Sequence, residues 1–357
     1  MSRNTTARID LSALQHNFAT VRRLAPDSRV ASVVKADGYG HGIQRIARAL
    51  PDSDLLAVAT LGEAQSVRDS GWRGRLLLLE GYTGRNEFMW ARKLDADFVL
   101  HHPSQLEILE ANGCCSRQHV WLKLDTGMHR LGFPAREAAS LLQRIARISG
   151  VHEPVLMTHF ACADDTDNDM TREQAALFDQ ETQSLPGQRS LANSAAVLNF
   201  PETCRDIVRP GVMLYGISPI PGRVGSDHGL QPVMTLECQL LAVNACRAGD
   251  RVGYGATWVC PEDMLIGVAG IGYGDGYPRH LRSGAPVLVN GQPARLAGRV
   301  SMDLITLDLR GLDKAEVGDP VVLWGAGLPV ETVAEWAGAI PYELICGVTG
   351  RVRRKSV

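Results

Sequence analysis

A single lysine follows an apolar segment and precedes a glycine-rich turn. Residues 30–34 (VASVV) predict a β-strand, and Lys35 comes directly after them. Burial at the end of such a strand would lower the pKa of the lysine and favour its neutral amine, the nucleophile of Schiff-base chemistry. The alternative is a lysine that leaves the strand for solvent, since most lysines are exposed. The choice depends on which other residues lie near Lys35.

Seven further apolar runs follow, and sequence with helical spacing separates most of them. With the first, the runs occupy residues 30–34, 55–59, 76–79, 98–100, 120–124, 155–157, the neighbours of 191, and 207–214. Helical spacing covers residues 11–24, 43–50, 63–70, 88–94, 105–110, 135–148 and 171–185. This alternation predicts an α/β fold with an N-terminal (β/α)8 TIM-type barrel. An open doubly wound sheet is the alternative.

Polar residues follow most of these runs. In barrel enzymes the chemistry lies at the C-terminal ends of the strands, so these side chains would meet at one mouth. They are Lys35, Glu80, His101, Lys123, Asp125, His159, Asn193, Ser194 and Arg209. Their convergence favours a functional role for Lys35.

Asn193 and Ser194 open a helical segment and offer capping groups together with free backbone amides, which form a natural anion site. Gly211 follows the eighth strand, and phosphate sites of barrels commonly form after strands seven and eight. A plain helix cap is an equally good interpretation of Asn193 and Ser194 alone.

The amino-acid composition changes at residues 219–230, which are rich in proline, glycine and serine. Beyond them short apolar runs alternate with turns, and Asn290-Gly291 is a strong hairpin signal. One late helix is predicted at residues 330–337. We therefore expect two domains, a barrel at 1–231 and a mostly-β C-terminal domain at 232–357.

Composition excludes several classes of protein. The net charge is −2, from 37 basic and 39 acidic residues, and no basic stripe suggests nucleic acid. No run reaches the roughly 18 apolar residues that span a membrane. The polar start and the eight cysteines without metal-type spacing predict reduced thiols in a cytoplasmic protein. No metal site is expected, because His101 and His102 lack a further ligand and the acidic segment 164–169 lacks a calcium-loop glutamate.

Eight stretches, in order along nearly the whole chain, resemble the alanine racemase family. They are 34–42 (VKADGYGHG), 121–132 (WLKLDTGMHRLG), 158–160 (THF), 193–194 (NS), 208–211 (VRPG), 252–256 (VGYGA), 272–278 (GYGDGYP) and 298–303 (GRVSMD). Each is weak alone, and together they are highly specific. The resemblance implies interconversion of L-alanine and D-alanine, either to supply D-alanine for peptidoglycan or for alanine catabolism.

The resemblance also implies pyridoxal 5′-phosphate, bound to Lys35 as a Schiff base. It implies a homodimer in which the C-terminal domain completes the active site of the partner subunit. The residues that match cofactor contacts are Tyr39, Asn193, Ser194 and the backbone of Gly211 and Val212 at the phosphate, and Arg209 at the pyridine nitrogen with His159 behind it.

Substrate contacts follow from the same resemblance. Arg130 and the partner's Met302 would contact the substrate, and Asp303 would support Met302. Lys123 matches a lysine that is often carbamylated in this family and that orients the arginine corresponding to Arg130. Tyr273 would lie at the substrate entrance.

Racemisation requires a proton acceptor on each face of the substrate carbon. By resemblance Lys35 serves the D isomer, and the partner's Tyr254 serves the L isomer. A tyrosine has a pKa of about 10, so we expect the Arg130 guanidinium to favour its ionised form.

Arg209 favours a racemase over the nearest alternative, a barrel decarboxylase of basic amino acids. An arginine keeps its proton and should not protonate the ring nitrogen, which disfavours transamination. Barrel decarboxylases of basic amino acids use an acidic residue at that position. A non-enzymatic pyridoxal-phosphate carrier resembles the barrel alone, so the second domain with Tyr254 and Met302 argues against it. A barrel protein without a cofactor is the third alternative.

Overall fold

The structure, a computed structural model, describes residues 4–114 and 118–357 and separates the chain into two compact units. The barrel unit comprises Gln15–Leu214 and Ser218–Gly222. The β unit comprises the segment ending at Leu14, Tyr215–Ile217 and Arg223–Val357. The first strand, β1 (Thr6–Ile9), therefore groups with the C-terminal part of the chain. Seven cysteines of the described ranges have free thiols, and Cys115 lies outside those ranges.

Eight parallel strands form the barrel unit's sheet, and they match the apolar runs of the sequence. Their order is β10-β2-β3-β4-β5-β6-β8-β9, with the short β7 paired to β6. The strands are β2 (Arg29–Val33), β3 (Leu55–Val58), β4 (Arg75–Leu78), β5 (Asp97–Leu100), β6 (Val120–Asp125), β7 (Phe133–Pro134), β8 (Val155–Met157), β9 (Arg189–Ser190) and β10 (Ile207–Val208). Their side chains are almost all buried, which explains why they appear as continuous apolar runs.

A backbone bridge closes this sheet into a barrel. Asn193 and Arg209 form an isolated parallel bridge, and the Arg209 amide donates to the Ala192 carbonyl at 2.9 Å. The last strand, β10, also pairs with the first barrel strand, β2. The predicted (β/α)8 barrel is therefore confirmed, and the open doubly wound sheet is excluded. The eighth strand ends at Val208, well before residue 214, because Pro210 has no amide to donate and a 3-10 turn begins at Val212.

Helices connect the barrel strands at the positions where the sequence shows helical spacing. They are Leu11–Leu24, Ile43–Ala49, Leu61–Asp69, Arg85–Lys93, Pro103–Asn112, Ala138–Ile145, Met170–Thr182 and Ser194–Asn199. Each buries apolar residues on one face, as Ile46 and Phe88, both fully buried, illustrate. No helix within residues 4–114 and 118–357 has the length and apolar character needed to cross a membrane.

The β unit contains a second sheet that is mostly antiparallel. Its order is β14-β17-β16-β15-β18-β11-β1-β19, and β14 also pairs with β11, which closes a ring of six strands. The remaining strands are β11 (Met234–Cys246), β12 (Arg251–Val252), β13 (Trp258–Val259), β14 (Met264–Ala269), β15 (Pro286–Val289), β16 (Gln292–Leu296), β17 (Ile305–Asp308), β18 (Pro320–Trp324) and β19 (Arg353–Ser356). The predicted C-terminal β fold is confirmed.

The hairpin and the late helix of this unit were visible in the sequence. Asn290 and Gly291 both have positive φ, 52° and 76°, and join β15 to β16 as a two-residue turn. The helix Val330–Ala337 has the predicted bounds. A second helix, Pro341–Gly347, was not predicted.

Candidate active site

Lys35 follows β2 at the point where the backbone enters a left-handed turn. Val34 before it is fully buried, and the Lys35 side chain is half-buried. The next four residues have φ values of 53°, 54°, 63° and 50°, in the order Ala36, Asp37, Gly38 and Tyr39. This conformation costs a non-glycine residue about 1–2 kcal/mol. The surrounding contacts must therefore hold the turn in place.

Two carboxylates stabilise the left-handed turn. Glu63 Oε1 accepts the Ala36 amide at 2.7 Å, and Asp37 Oδ1 accepts the Ile43 amide at 2.8 Å. These bonds fix the backbone on both sides of the turn. The direction in which Lys35 leaves the strand is thus set by backbone geometry as well as by its own rotamer.

Glu63 holds the turn after Lys35, and the sequence analysis did not identify it. Its Oε2 accepts the amides of Ala59 and Thr60 at 2.9 and 3.2 Å, and Thr60 Oγ1 accepts the Glu63 amide in return. This capping box begins the helix Leu61–Asp69 and is visible as the Thr60–Glu63 spacing. Its contact with Ala36 is not visible in the sequence, because that contact depends on the pairing of β2 with β3.

Tyr39, Ser194 and Gly211 meet after the last strand of the barrel. The Ser194 hydroxyl oxygen accepts the amides of Gly211 at 2.8 Å and Met213 at 3.4 Å. A Cβ added to Gly211 would lie 2.4 Å from the Tyr39 hydroxyl, so only glycine permits this approach. Both hydrogen bonds use the serine as acceptor, which leaves its own hydrogen to donate.

The neighbouring residues Asn193 and Val212 have structural roles here. Asn193 Oδ1 accepts the Ala196 amide at 3.0 Å, so it caps the short helix Ser194–Asn199. Val212 is 1% exposed and begins the 3-10 turn after Gly211. Asn193 therefore caps this helix, as the plain-cap interpretation expects, and the phosphate contacts of Asn193 and Ser194 stay predictions.

Four cationic side chains of the barrel unit, Lys35, Lys123, Arg130 and Arg209, lie near one another and near His159. Burial lowers the pKa of Lys123 to about 8, and the charges of Arg209, Arg130 and Lys35 lower it in the same direction. Burial also lowers the pKa of His159 well below its ordinary value, and the same neighbouring charges add to that effect. The site thus combines a strongly positive field with a neutral imidazole and an amine that is partly neutral near pH 8.

Arg209 is held by the ends of the neighbouring strands. Its Nη1 donates to the carbonyl and the hydroxyl of Ser190, both at 2.7 Å, and Nη2 donates to the carbonyls of Thr158 and Leu191 at 2.6 and 3.2 Å. Its Nε–H donates to none of the residues in 4–114 and 118–357. Burial lowers the pKa of Arg209 to about 10, so the guanidinium remains charged near neutral pH.

His159 lies beside Arg209, with Arg209 Nη2 3.3 Å from His159 Nδ1. A guanidinium only donates, so Nδ1 must accept and the proton of the neutral ring resides on Nε2. The ring therefore supports the arginine without adding a second charge.

Three candidates of the β unit lie on adjoining loops. The Tyr273 amide donates to the Ser301 carbonyl at 3.0 Å, and the Gly274 amide to the Met302 carbonyl at 2.9 Å. Arg351 donates to Asp303 at 2.6 Å. Tyr273, Met302 and Asp303 are therefore positioned by one network.

Arg351 also pairs with Asp275 at 3.3 Å, and the sequence analysis did not identify this residue. Asp275 is buried and accepts the Gly272 amide at 3.0 Å. Arg351 thus connects the turn that carries Tyr273 to the loop that carries Met302. The sequence gives no signal for this contact, because 48 positions separate Arg351 from Asp303.

Tyr254 is the most exposed large hydrophobic side chain of the described residues, at 71%. It begins a 3-10 turn, Tyr254–Ala256, between β12 and β13. Gly253 before it and Gly255 after it have φ values of 74° and 73°. Two positive-φ glycines make the turn tight and present the phenol outward.

The fold and this arrangement define a class of protein: a barrel enzyme whose polar strand ends meet at one mouth, followed by a β domain. Residues 9–219 match the family model described as alanine racemase, N-terminal domain, and residues 233–356 match alanine racemase, C-terminal domain. The chain belongs to the alanine racemase family and is an enzyme, an isomerase of amino acids.

Individual relatives agree with this assignment. An alanine racemase from Nitrosococcus oceani is 52% identical over 350 residues, which cover 98% of each chain. The crystal structure of biosynthetic alanine racemase from Pseudomonas aeruginosa is 45% identical with a TM-score of 0.95, over 99% of each chain. Alanine racemase from Bartonella henselae, solved with covalently bound pyridoxal phosphate, is 28% identical with a TM-score of 0.89, over 99% of each chain.

Proposed function

We propose that this protein interconverts L-alanine and D-alanine with pyridoxal 5′-phosphate held at Lys35. The observation that carries the proposal is the convergence, in one barrel mouth, of Lys35 with three further cationic residues, Lys123, Arg130 and Arg209, around the neutral imidazole of His159. A positive mouth suits an anionic cofactor and the carboxylate of an amino acid.

The residues present fit this cofactor. The glycine at 211, whose added Cβ would clash with the Tyr39 hydroxyl, leaves a cradle that a larger side chain would fill. Tyr39 and Ser194 would hold the phosphate with the backbone of Gly211 and Val212, next to Asn193. The Nε–H of Arg209, which no described residue accepts, would donate to the pyridine nitrogen with His159 behind the guanidinium.

When bound, pyridoxal phosphate supplies an electron sink that weakens the Cα–H bond of the substrate. Arg209 would donate to the ring nitrogen without giving up its proton, since its pKa of about 10 keeps it charged at neutral pH. That retention favours return of the proton to Cα and disfavours transamination. Arg130 would bind the substrate carboxylate, oriented by Lys123, whose lowered pKa also favours carbamylation of its amine.

Two bases move the proton. Lys35 Nζ would take it from D-alanine, and Oη of Tyr254 of the partner subunit would take it from L-alanine. The 71% exposure of Tyr254 and the 53% exposure of Met302 support a homodimer, because these side chains need a partner surface. Asp303 would position Met302, and Tyr273 would line the entrance.

We accordingly assign cofactor binding to residues 1–231, apart from the segments of that range that group with the β unit, and completion of the partner's site to residues 232–357. The D-alanine formed would supply peptidoglycan. Alternatively, the reaction would serve alanine catabolism. The cytoplasmic location expected from the cysteine usage remains a prediction.

Chiral analysis of the products from L-alanine, with and without added pyridoxal phosphate, tests the function. We expect D-alanine to appear until the isomers are equal, and Lys35→Ala to abolish its formation. Lys93→Ala, on the exposed face of the helix Arg85–Lys93, is the matched lysine control and should retain activity. Release of carbon dioxide from a basic amino acid without formation of D-alanine would instead identify a decarboxylase.

A further inference from the structure

Two cysteines flank the hairpin that carries Tyr254. Cys246 ends β11, and Cys260 directly follows β13. Between them β12 and β13 pair through Arg251↔Val259 and Val252↔Trp258. The two thiols therefore lie at the base of one short hairpin, with the tyrosine at its tip.

Backbone hydrogen bonds bring the two cysteines together. The chain turns directly after Cys246, where the Asp250 amide donates to the Arg247 carbonyl at 3.0 Å. The Cys260 amide then donates to the Asp250 carbonyl, and the Gly249 amide donates to the Cys260 carbonyl, both at 2.8 Å. Cys260 is thus fixed against the turn that Cys246 begins.

The side chains meet inside a small apolar cluster. Cys246 packs against the buried residues Val252, Cys260, Met264, Ile266 and Ala297. Cys246 also lies close enough to the Cys260 thiol to raise its pKa. No change of strand pairing is needed to bring the sulfurs closer.

The two thiols differ in access to solvent. Cys260 is 1% exposed, whereas Cys246 is half-buried. Burial, and then the neighbouring Cys246, raise the pKa of Cys260, which therefore remains a protonated thiol. A dissolved oxidant meets Cys246 first, and Cys260 is placed to react second.

We propose that Cys246 and Cys260 form a reversible disulfide when the protein meets a peroxide. The Cys246 thiolate attacks one oxygen of hydrogen peroxide, the O–O bond breaks, and a sulfenic acid and hydroxide form. The Cys260 sulfur then attacks the sulfenic sulfur, the S–O bond breaks, and water leaves with the proton of Cys260. In total two thiols lose two electrons and two protons, and one peroxide becomes two waters.

The disulfide would close a loop from Cys246 to Cys260 around the Tyr254 turn and restrict its motion. The effect on racemisation rests on the proposed role of Tyr254, whereas formation of the bond does not. Low-molecular-weight thiols would reopen it by exchange.

Non-reducing peptide mapping of the whole protein after treatment with hydrogen peroxide tests this proposal. We expect a peptide pair that links Cys246 to Cys260, a loss of two titratable thiols per chain, and full reversal by dithiothreitol. Cys346→Ser removes an exposed thiol elsewhere and should leave the linked pair unchanged. Cys246→Ser and Cys260→Ala should each abolish it.

If Cys246 instead reaches the sulfinic or sulfonic state with no linked peptide, the proposal is wrong. The same holds if two titratable thiols per chain are still lost on peroxide treatment of Cys246→Ser. Because the readout is a peptide, a variant of low activity remains informative. A linked pair in a protein that does not racemise alanine would support the disulfide and contradict the proposed function. In an active protein we expect severalfold slower proton exchange from L-alanine after oxidation, restored by dithiothreitol.

Discussion

Replacing Gly211 by alanine should weaken cofactor binding through Tyr39. The new Cβ would lie 2.4 Å from the Tyr39 hydroxyl and 3.2 Å from its Cζ, whereas ordinary contacts begin at 3.4 Å. The hydroxyl must therefore move by about 1 Å. Tyr39 is only 8% exposed and stands in the left-handed turn, so the backbone cannot easily absorb this shift.

A displacement of this size would break the proposed hydrogen bond from the Tyr39 phenol to a phosphate oxygen. Such bonds to charged groups contribute about 1.5–3 kcal/mol, which corresponds to roughly 10- to 150-fold in Kd. We expect Gly211→Ala to raise the Kd for pyridoxal phosphate by this factor, measured by titrating the cofactor-free protein. Gly84→Ala, where a Cβ meets nothing within 4 Å, is the control.

A double-mutant cycle isolates the mechanism. Tyr39→Phe removes the clashing oxygen together with its hydrogen bond and should cause a similar loss. The effect of Gly211→Ala should then be much smaller in the Tyr39→Phe background, because the same bond cannot be lost twice. Fully additive losses, or a Kd for Gly211→Ala within twofold of the unmodified protein, would refute this reasoning.

Three further predictions concern the other parts of the site. Tyr254→Phe should slow deuterium exchange from L-alanine far more than exchange from D-alanine; equal losses would contradict the two-base scheme. The pKa of Lys123, lowered by burial and nearby cations from 10.5 to about 8, means that the unfolded chain binds more protons between these values. The free energy of unfolding should therefore rise with pH across this window, and Lys123→Met should flatten that rise in urea titrations; an unchanged slope would exclude the shift. Arg351→Gln removes the pairs with Asp275 and Asp303 and should raise KM for alanine severalfold with a smaller change in kcat; a loss confined to kcat would assign Arg351 another role.

The barrel was predictable because its strands are buried on both faces. Parallel strands covered by helices produce continuous apolar runs, and helices between them produce a different period, so the sequence alternates visibly. The weakest prediction, at residue 191, corresponds to a strand of two residues, Arg189–Ser190. The eighth strand was predicted too long, because residues 211–214 are apolar yet fold as a turn.

The site was only partly predictable for a related reason. Lys35 and Arg209 stand out since a charged residue directly after an apolar run is conspicuous. The left-handed turn after Lys35 cannot be recognised in the sequence, because it includes Ala36 and Asp37, which rarely adopt positive φ. The contacts of Glu63 and Arg351 join positions far apart in the chain, and a single sequence contains no signal for such pairs.

The constrained turn has a consequence for the chemistry of the lysine. With the peptide units after Lys35 locked, the amine can reorient only by rotation about its own four carbon–carbon bonds. If Lys35 holds the cofactor as proposed, its amine would leave and return through rotation of its own side chain, and the turn would not need to refold between turnovers. A substitution that relaxed the turn, such as Glu63→Gln, would let the Lys35 amine occupy more positions. Its return to the cofactor would then become the slow step.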